Sequence, residues 1–498
     1  MELKHLAQSR GDGTQAPAVA GVLGTALRAL TSRRAVQLIL ILLPVTAAMG
    51  GLVRVVGPLF AFRVLLLVFV GLSVHAYRSL PWRSTVVRLL VAMAAVWLLV
   101  GYASLLWAAD RERAITQLFG LTLGLALSIA MVIQFARDEG VVRAFVPGWT
   151  IAFIVTGVIG TYERVSGHHL SNYLRDAAVP ALVAQRYVAS VFGNPNAYAA
   201  FLVTAFPFLL WGFLDARERA RKAAFGIALV TLLPLLLLTG SRLCLLALSV
   251  QILVTVAVLA RRRARAVVLF AAGGLIVASA TGSFARLASV VPFIPSKLLT
   301  RMDLASLSSE LASTSGSGGE RLNLLRDGLW MVGKSRGLGV GAGSFEANIA
   351  RAPFPTHGIV DPHNLWMEIL AEYGALVFAV VTSFIGLSFV LGLKLLGRAK
   401  TPENRAARSL GIVIVTAILG NAIAAVANST YLESSTNWLF LGCLAVLAFA
   451  AEQALHSSAE ARMRRTHTGI ADVPRNLAAP HEAPNANDNG PCTPRRDG

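Results

Sequence analysis

The chain has 498 residues, 55% of them hydrophobic and only 14% charged, with a formal net charge of +19. A soluble globular enzyme carries about a quarter charged residues, so this composition excludes that class and points to an integral membrane protein. The basic excess is read as cytoplasmic loops facing anionic lipid rather than as a nucleic-acid surface. The three cysteines, Cys244, Cys443 and Cys492, are spaced for neither a disulfide framework nor a CxxC metal site.

Residues 1–34 are polar and Gly/Ala-rich, without the basic–apolar–small order of a cleavable signal peptide, and are read as a cytoplasmic, disordered tail. A membrane helix needs roughly 20 mainly apolar residues. Such windows follow at 35–52, 57–76, 85–106, 114–135, 144–161, 195–214, 223–239, 243–260, 266–281, 365–393, 409–427 and 436–454. The expected fold is therefore all-α, a polytopic membrane domain over 35–457 with about twelve spans. The seventh and eighth spans form a tight hairpin broken at Thr239-Gly240-Ser241-Arg242. Within the second span, Arg63 is an isolated charge. No internal repeat is evident. The polar tail 458–498 reads as disordered, as does SLSSELASTSGSGG.

Lys and Arg set the orientation. Arg78 and Arg83, Arg137 and Arg143, Arg217 to Lys222, Arg261 to Arg265, and Lys394 to Arg408 occupy alternate loops. These are read as cytoplasmic, which puts both termini inside and the long loops 162–194 and 282–364 outside. The outer loops hold the candidate chemistry.

In Asp361-Pro362-His363-Asn364, the Asp-Pro pair predicts a helix cap followed by a proline at the first helical position. Asn364, Glu368 and Glu372 then recur at helical spacing and share one face. Glu372 lies more than two turns into an apolar span, where a carboxylate is costly and therefore points to function. Arg242 sits in a very short outer turn, against the positive-inside bias. Arg186 precedes Gly193-Asn194-Pro195-Asn196, a turn and helix start whose free amides favour a nearby anion. Arg321 precedes the helix-like LNLLRDGLWMV. The run Gly337 to Ser344 follows no strand and precedes no lysine, so it is read as a sharp turn, not a nucleotide loop. His168-His169 has no third metal ligand at a telling distance.

Arginines suit a phosphate-bearing lipid, because the planar fork bonds bidentately and keeps its charge. A histidine can accept a proton from a hydroxyl. Together they suit transfer of a group from a lipid diphosphate to an alcohol, with neither cofactor nor metal called for.

In order and topology, six stretches resemble the bacterial O-antigen ligase and polymerase superfamily. They are SLLWAADRERAITQL (104–118), YERVSGHHL (162–170), FGNPNAYAAFL (192–202), LTGSRLCLLAL (238–248), GERLNLLRDGLWMV with GLGVGAGSFE, and PHNLWMEILAEYGALVF (362–378). The last stretch and Asn-Pro-Asn are most similar to the teichuronic-acid-polymerase-like branch. The resemblance implies a multi-pass protein of the bacterial inner membrane, working on its periplasmic side. It implies a polyprenyl-diphosphate-linked glycan as donor and metal-independent, inverting transfer to a glycan or to the lipid A core. It places the essential arginines on Arg186 and Arg242, with Arg321 beside them, and the essential histidine on His363. Asn194, Asn196, Asn364, Glu368 and Glu372 are then expected to bind substrate. The competing class is a flippase or exporter of a lipid-linked saccharide, for which a midplane cavity and an internal repeat are the expected marks.

Overall fold

The computed structural model describes residues 33–56, 59–75, 80–170, 187–260, 266, 317–398, 405–427 and 431–468. In chain order they form α1 (Arg33–Met49), a two-stranded antiparallel ladder of β1 (Arg54–Val56) and β2 (Leu59–Phe60), α2 (Ala61–His75), α3 (Thr85–Ala103), α4 (Arg111–Arg137), α5 (Phe145–Ser166), α6 (Pro195–Asp215), α7 (Arg219–Thr239), α8 (Arg242–Leu259), α9 (Ser317–Lys334), α10 (Phe345–Ile349), α11 (Leu365–Arg398), α12 (Arg405–Ala424) and α13 (Ser435–Thr468). Among the described residues nine helices are long and apolar enough to cross a membrane, and α2 is a shorter apolar helix. The protein is an all-α, polytopic membrane protein. Each expected span coincides with a helix, except that at 266–281, which beyond residue 266 lies outside the described residues, as does SLSSELASTSGSGG up to residue 316. Residues up to Gln453 form one compact unit; the unit from Ala454 on begins within α13.

Helix ends follow local chemistry. Ser84, Asp110 and Asn194 each accept a bond from the amide three residues on, at 3.2, 3.0 and 2.9 Å, and so start α3, α4 and α6. In α2 the expected start at 57 is corrected to Ala61, because the preceding residues pair as the β1–β2 ladder. Arg63 lies over the rings of Phe60 and Phe119, 4.9 and 5.5 Å from their centroids, so its charge is held by aromatic faces at the start of the helix.

Helix α12 is the hub, packed against α6, α8 and α11. Between helices in lipid, contact rests on close packing and hydrogen bonds more than on removal from water. Both devices are present. Trp149 stacks on Phe208 at 4.9 Å between centroids, and Trp97 touches Tyr373 and Trp438 at 5.8 and 5.7 Å. Gly124 admits the Trp438 ring so closely that a Cβ there would lie 2.2 Å from Cδ2. Gln251 Nε2 donates to Val203 O at 3.1 Å and Thr416 O at 3.0 Å, tying α8 to α6 and α12.

The helix α11 is broken at Gly374, whose φ of 82° and ψ of 179° are not helical. The glycine run of the preceding loop enters this break. Val340 N donates to Ala371 O (2.8 Å), Gly341 N to Glu372 O (3.0 Å), and Ala375 N to Gly337 O (2.8 Å). A broken helix at membrane depth is tolerated only where other groups take up the freed backbone, and the loop does this. A Cβ on Gly374 would lie 2.4 Å from Gly337 O, and one on Gly339 would lie 2.3 Å from Glu372 O, so neither site accepts a side chain. The expected sharp turn is thus a backbone splice between loop and span.

Candidate functional site

The two ends of the bundle differ. At one, Arg405 donates to Leu214 O and Arg408 to Val258 O, and Arg33 pairs with Asp138 at 2.8 Å. At the other lie the starts of α4, α6, α8 and α11 and the loop 337–364, and here the candidate residues meet.

One side of this end is cationic. Arg321, in the first turns of α9, is half-buried, and burial lowers its basicity. Among the described residues no carboxylate pairs with it. Its charge bears on two groups, the Cys244 thiol beside Ser241 and the imidazole of His363. His363 is pushed down to about 4, by burial first and by Arg321 second. Its Nδ1 is buried and has no hydrogen-bond partner. The residue sits at φ 46°, in the left-handed region, a conformation costing a non-glycine roughly 1–2 kcal/mol. Arg242 opens α8 and lines a small cavity with Ser241 and Leu245, next door to Cys244. Thus Arg321 and His363 share one neighbourhood with Cys244, and Arg242 opens the same helix two residues before that cysteine.

Arg186 lies outside the described residues. The residue after it, Tyr187, lies against Gly240 in the turn that carries Arg242, and Val188 N donates to Leu238 O at 3.1 Å. This segment is pinned by Glu163, which accepts from Ala189 N (3.0 Å) and Ser190 N (2.7 Å) and meets His169 Nδ1 at 2.6 Å. His169 is thereby a partner of Glu163. Asn194 is the cap of α6, with Pro195 and Asn196 in its first turn.

The other side is acidic. Arg113 clasps Glu346 through both terminal nitrogens and lies 3.7 Å from Glu433. These residues, with Asp361, Glu368 and Gln117, line a pocket. Glu372 also reaches it, but its oxygens are engaged, accepting from Gln117 Nε2 (2.8 Å), Gly343 N (3.1 Å) and Phe345 N (3.1 Å). Glu368, one turn earlier, has its Oε2 buried without a partner.

The expected cap at Asp361 is corrected. Helix α11 begins at Leu365, and Asn364 caps it, its Oδ1 accepting from Trp366 N at 3.0 Å and Met367 N at 3.3 Å. The left-handed His363 bars the helix from extending back. Asp361 instead bonds Glu346 in the acidic pocket, where burial first and Glu346 second push it up to about 7.

Sequence reasoning missed Arg113, Glu346 and Glu433 as site residues. The available signal was Arg113 at the head of an apolar span on the non-basic side, the same signal that marked Arg242.

Residues 227–382 match the O-antigen ligase family. That segment contains Arg242, Arg321, His363, Asn364, Glu368 and Glu372 and leaves Arg113 and Glu433 outside. Over 365 residues the chain is 24% identical to the teichuronic acid biosynthesis protein TuaE of Bacillus subtilis (strain 168), covering 72% of this chain and 71% of that protein. Both findings bear out the resemblance to the O-antigen ligase and polymerase superfamily.

Proposed function

We propose that this chain is a glycosyltransferase of the ligase or polymerase type. It moves a glycan from a polyprenyl-diphosphate carrier to an acceptor sugar hydroxyl, at the periplasmic face of the bacterial inner membrane. The observation that carries this reading is the half-buried Arg321, without a carboxylate partner among the described residues, beside the unpartnered buried Nδ1 of His363. A buried cation without an anion is costly unless a ligand supplies one.

In the reaction the acceptor oxygen attacks the anomeric carbon as the bond from that carbon to the diphosphate oxygen breaks. The diphosphate leaves with the electron pair. Arg321 and Arg242, with Arg186, meet the charge that develops on it, without a metal. Neutral His363 takes the acceptor's proton. A single displacement of this kind inverts the anomeric centre. The gathering of Arg242, Arg321 and His363 at one end of the bundle favours the enzyme over the exporter.

Because His363 loses its proton near pH 4 rather than 6.5 in the free enzyme, its neutral, proton-accepting form prevails at every pH above that value. The acid limb of kcat/KM is therefore expected well below pH 6.5, with activity lost as pH falls through about 4. A pH–rate profile with purified lipid-linked donor checks this, run in Asp361→Asn so that the carboxyl near 7 supplies no limb of its own; a limb remaining at 6.5 there would reject the burial of His363 beside Arg321.

The function itself is tested by deleting the gene in its host and complementing with wild type, His363→Ala or Arg242→Ala, then resolving envelope glycans by gel. A ligase deletion leaves long glycan on its carrier and none on the lipid A core. A polymerase deletion leaves single repeats. Both variants are expected to match the deletion at wild-type protein level. Full complementation by both would remove the site.

A further inference from the structure

We infer that the cavity between the start of α1 and the turn before α5, at the end of the bundle opposite the candidate site, holds the headgroup of an anionic glycerophospholipid. Arg33 and Arg143 take its phosphate, Gln37 meets its ester region, and its chains lie along α1. This goes beyond the transferase reading and does not depend on it.

The cavity measures about 370 Å³ and is lined by Arg33, Gln37, Ile41, Arg143 and Ala144. Small-molecule sites begin at about 300 Å³, so a headgroup fits. Further along, α1 and α5 leave no gap. A Cβ on Gly148 would lie 3.0 Å from Pro44 Cγ and 3.1 Å from Ile41 O and Leu40 O. The space is thus confined to the ends of the two helices.

The polar lining is held in place by the protein. Asp138 Oδ1 accepts from Gly140 N at 2.9 Å, which shapes the short 3-10 helix Glu139–Ala144. Asp138 Oδ2 lies 2.8 Å from Arg33 Nε. Gln37 Nε2 donates to Gly140 O at 3.3 Å. A Cβ on Gly140 would lie 2.0 Å from Arg33 Nη2, so the guanidinium lies against this turn and a side chain there would displace it. A guanidinium has five donors, and the contact with Asp138 uses one. Arg143 is exposed, and among the described residues no carboxylate pairs with it. No carboxylate lines the cavity. With Asp138 set against Arg33, one net positive charge remains, which matches the single negative charge of a phosphodiester.

The order of residues along α1 selects a lipid over a free anion. Arg33, Gln37 and Ile41 stand four residues apart and so form one stripe. It runs from cation to amide to aliphatic side chain. The neighbouring stripe Arg34, Leu38 and Leu42 also runs from cation to aliphatic, with Leu38 55% and Leu42 39% exposed. Inorganic phosphate would need only the first member of the series. A glycerophospholipid presents phosphate, ester and acyl chain in that sequence. Anionic lipids are concentrated in the cytoplasmic leaflet, the side on which the basic loops are read to lie.

The test uses the full-length protein in nanodiscs of phosphatidylethanolamine with phosphatidylglycerol, and native mass spectrometry reads the lipid retained per chain. Wild type is expected to keep phosphatidylglycerol in preference to phosphatidylethanolamine and to hold it against excess inorganic phosphate. Arg143→Ala should bind it roughly tenfold or more weakly, and Arg143→Lys should restore part of the binding. Arg83→Ala, which removes an exposed arginine outside the lining, should leave it unchanged. Three results overturn the proposal. Equal retention of the two lipids by wild type would leave no anionic site. Equal losses in Arg143→Ala and Arg83→Ala would reduce it to general surface attraction. Displacement by inorganic phosphate would make it a free-anion site.

Discussion

Arg321→Ala is expected to lower glycan transfer about 100- to 1,000-fold at an unchanged protein level, the usual loss when one charged donor to a leaving group is removed. Half-buried and without a carboxylate partner among the described residues, Arg321 holds together no ion pair there that its loss would break. The folded protein should tolerate its removal and even gain stability, since burial already disfavours the charge. Lysine should restore little, because an ammonium offers a point charge where a diphosphate is gripped by a planar fork. A second readout ties Arg321 to His363. The arginine depresses the basicity of His363, so in the residual activity of Arg321→Ala the acid limb should move up toward the ordinary histidine range. The measurement is kcat/KM against pH for wild type, Arg321→Ala and Arg321→Lys with purified lipid-linked donor. Wild-type activity in Arg321→Ala would remove the arginine from the site, and a lowered rate with an unmoved limb would separate it from His363.

Glu372→Ala is expected to act in the opposite way, on folding first. The carboxylate accepts from Gln117 Nε2, Gly343 N and Phe345 N, and is 4% exposed. Alanine leaves these three buried donors without an acceptor, at about 1–3 kcal/mol each. The sum is comparable with the whole stability of a typical domain. The loop 337–346 would lose its hold on α11, and Glu346, one residue after Phe345, would lose its register with Arg113. Low membrane yield and a fall of several degrees in apparent unfolding midpoint in detergent are expected, with Glu372→Gln intermediate because one oxygen can still accept. A variant as stable as wild type but inactive would place Glu372 in substrate binding, the role its sequence position first indicated.

The spans were legible because an apolar window of about 20 residues has few other uses. Their ends were less so. Asp361-Pro362 has the signature of a helix start, and the start falls at Asn364 because a left-handed His363 intervenes, which no local pattern announces. Likewise Gly374 reads as one more small residue in a membrane helix, and only its backbone geometry shows a break. In the site, the types of residue were legible and the pairings were not. Arg321 and His363 could each be singled out as an ionisable group on the outer side, but that one depresses the other is a matter of distance. The link from Arg113 to Glu346 crosses 233 positions, and Glu433 joins from a third segment, so the pocket exists only once the bundle has closed. Glu372 looked like a ligand because it is costly where it stands; the structure meets that cost with three donors from the protein itself.

The splice at Gly374 bears on how the protein is made. Residues 337–341 leave the ribosome before 371–375, so the amides of Val340 and Gly341 are already waiting when the carbonyls of Ala371 and Glu372 emerge. A span with a gap in its own ladder would be a poor passenger for insertion into lipid, and its remedy lies upstream on the same chain. The hydrogen bonding of α11 is therefore complete only once the loop has docked, and the candidate site takes its form when this helix is seated.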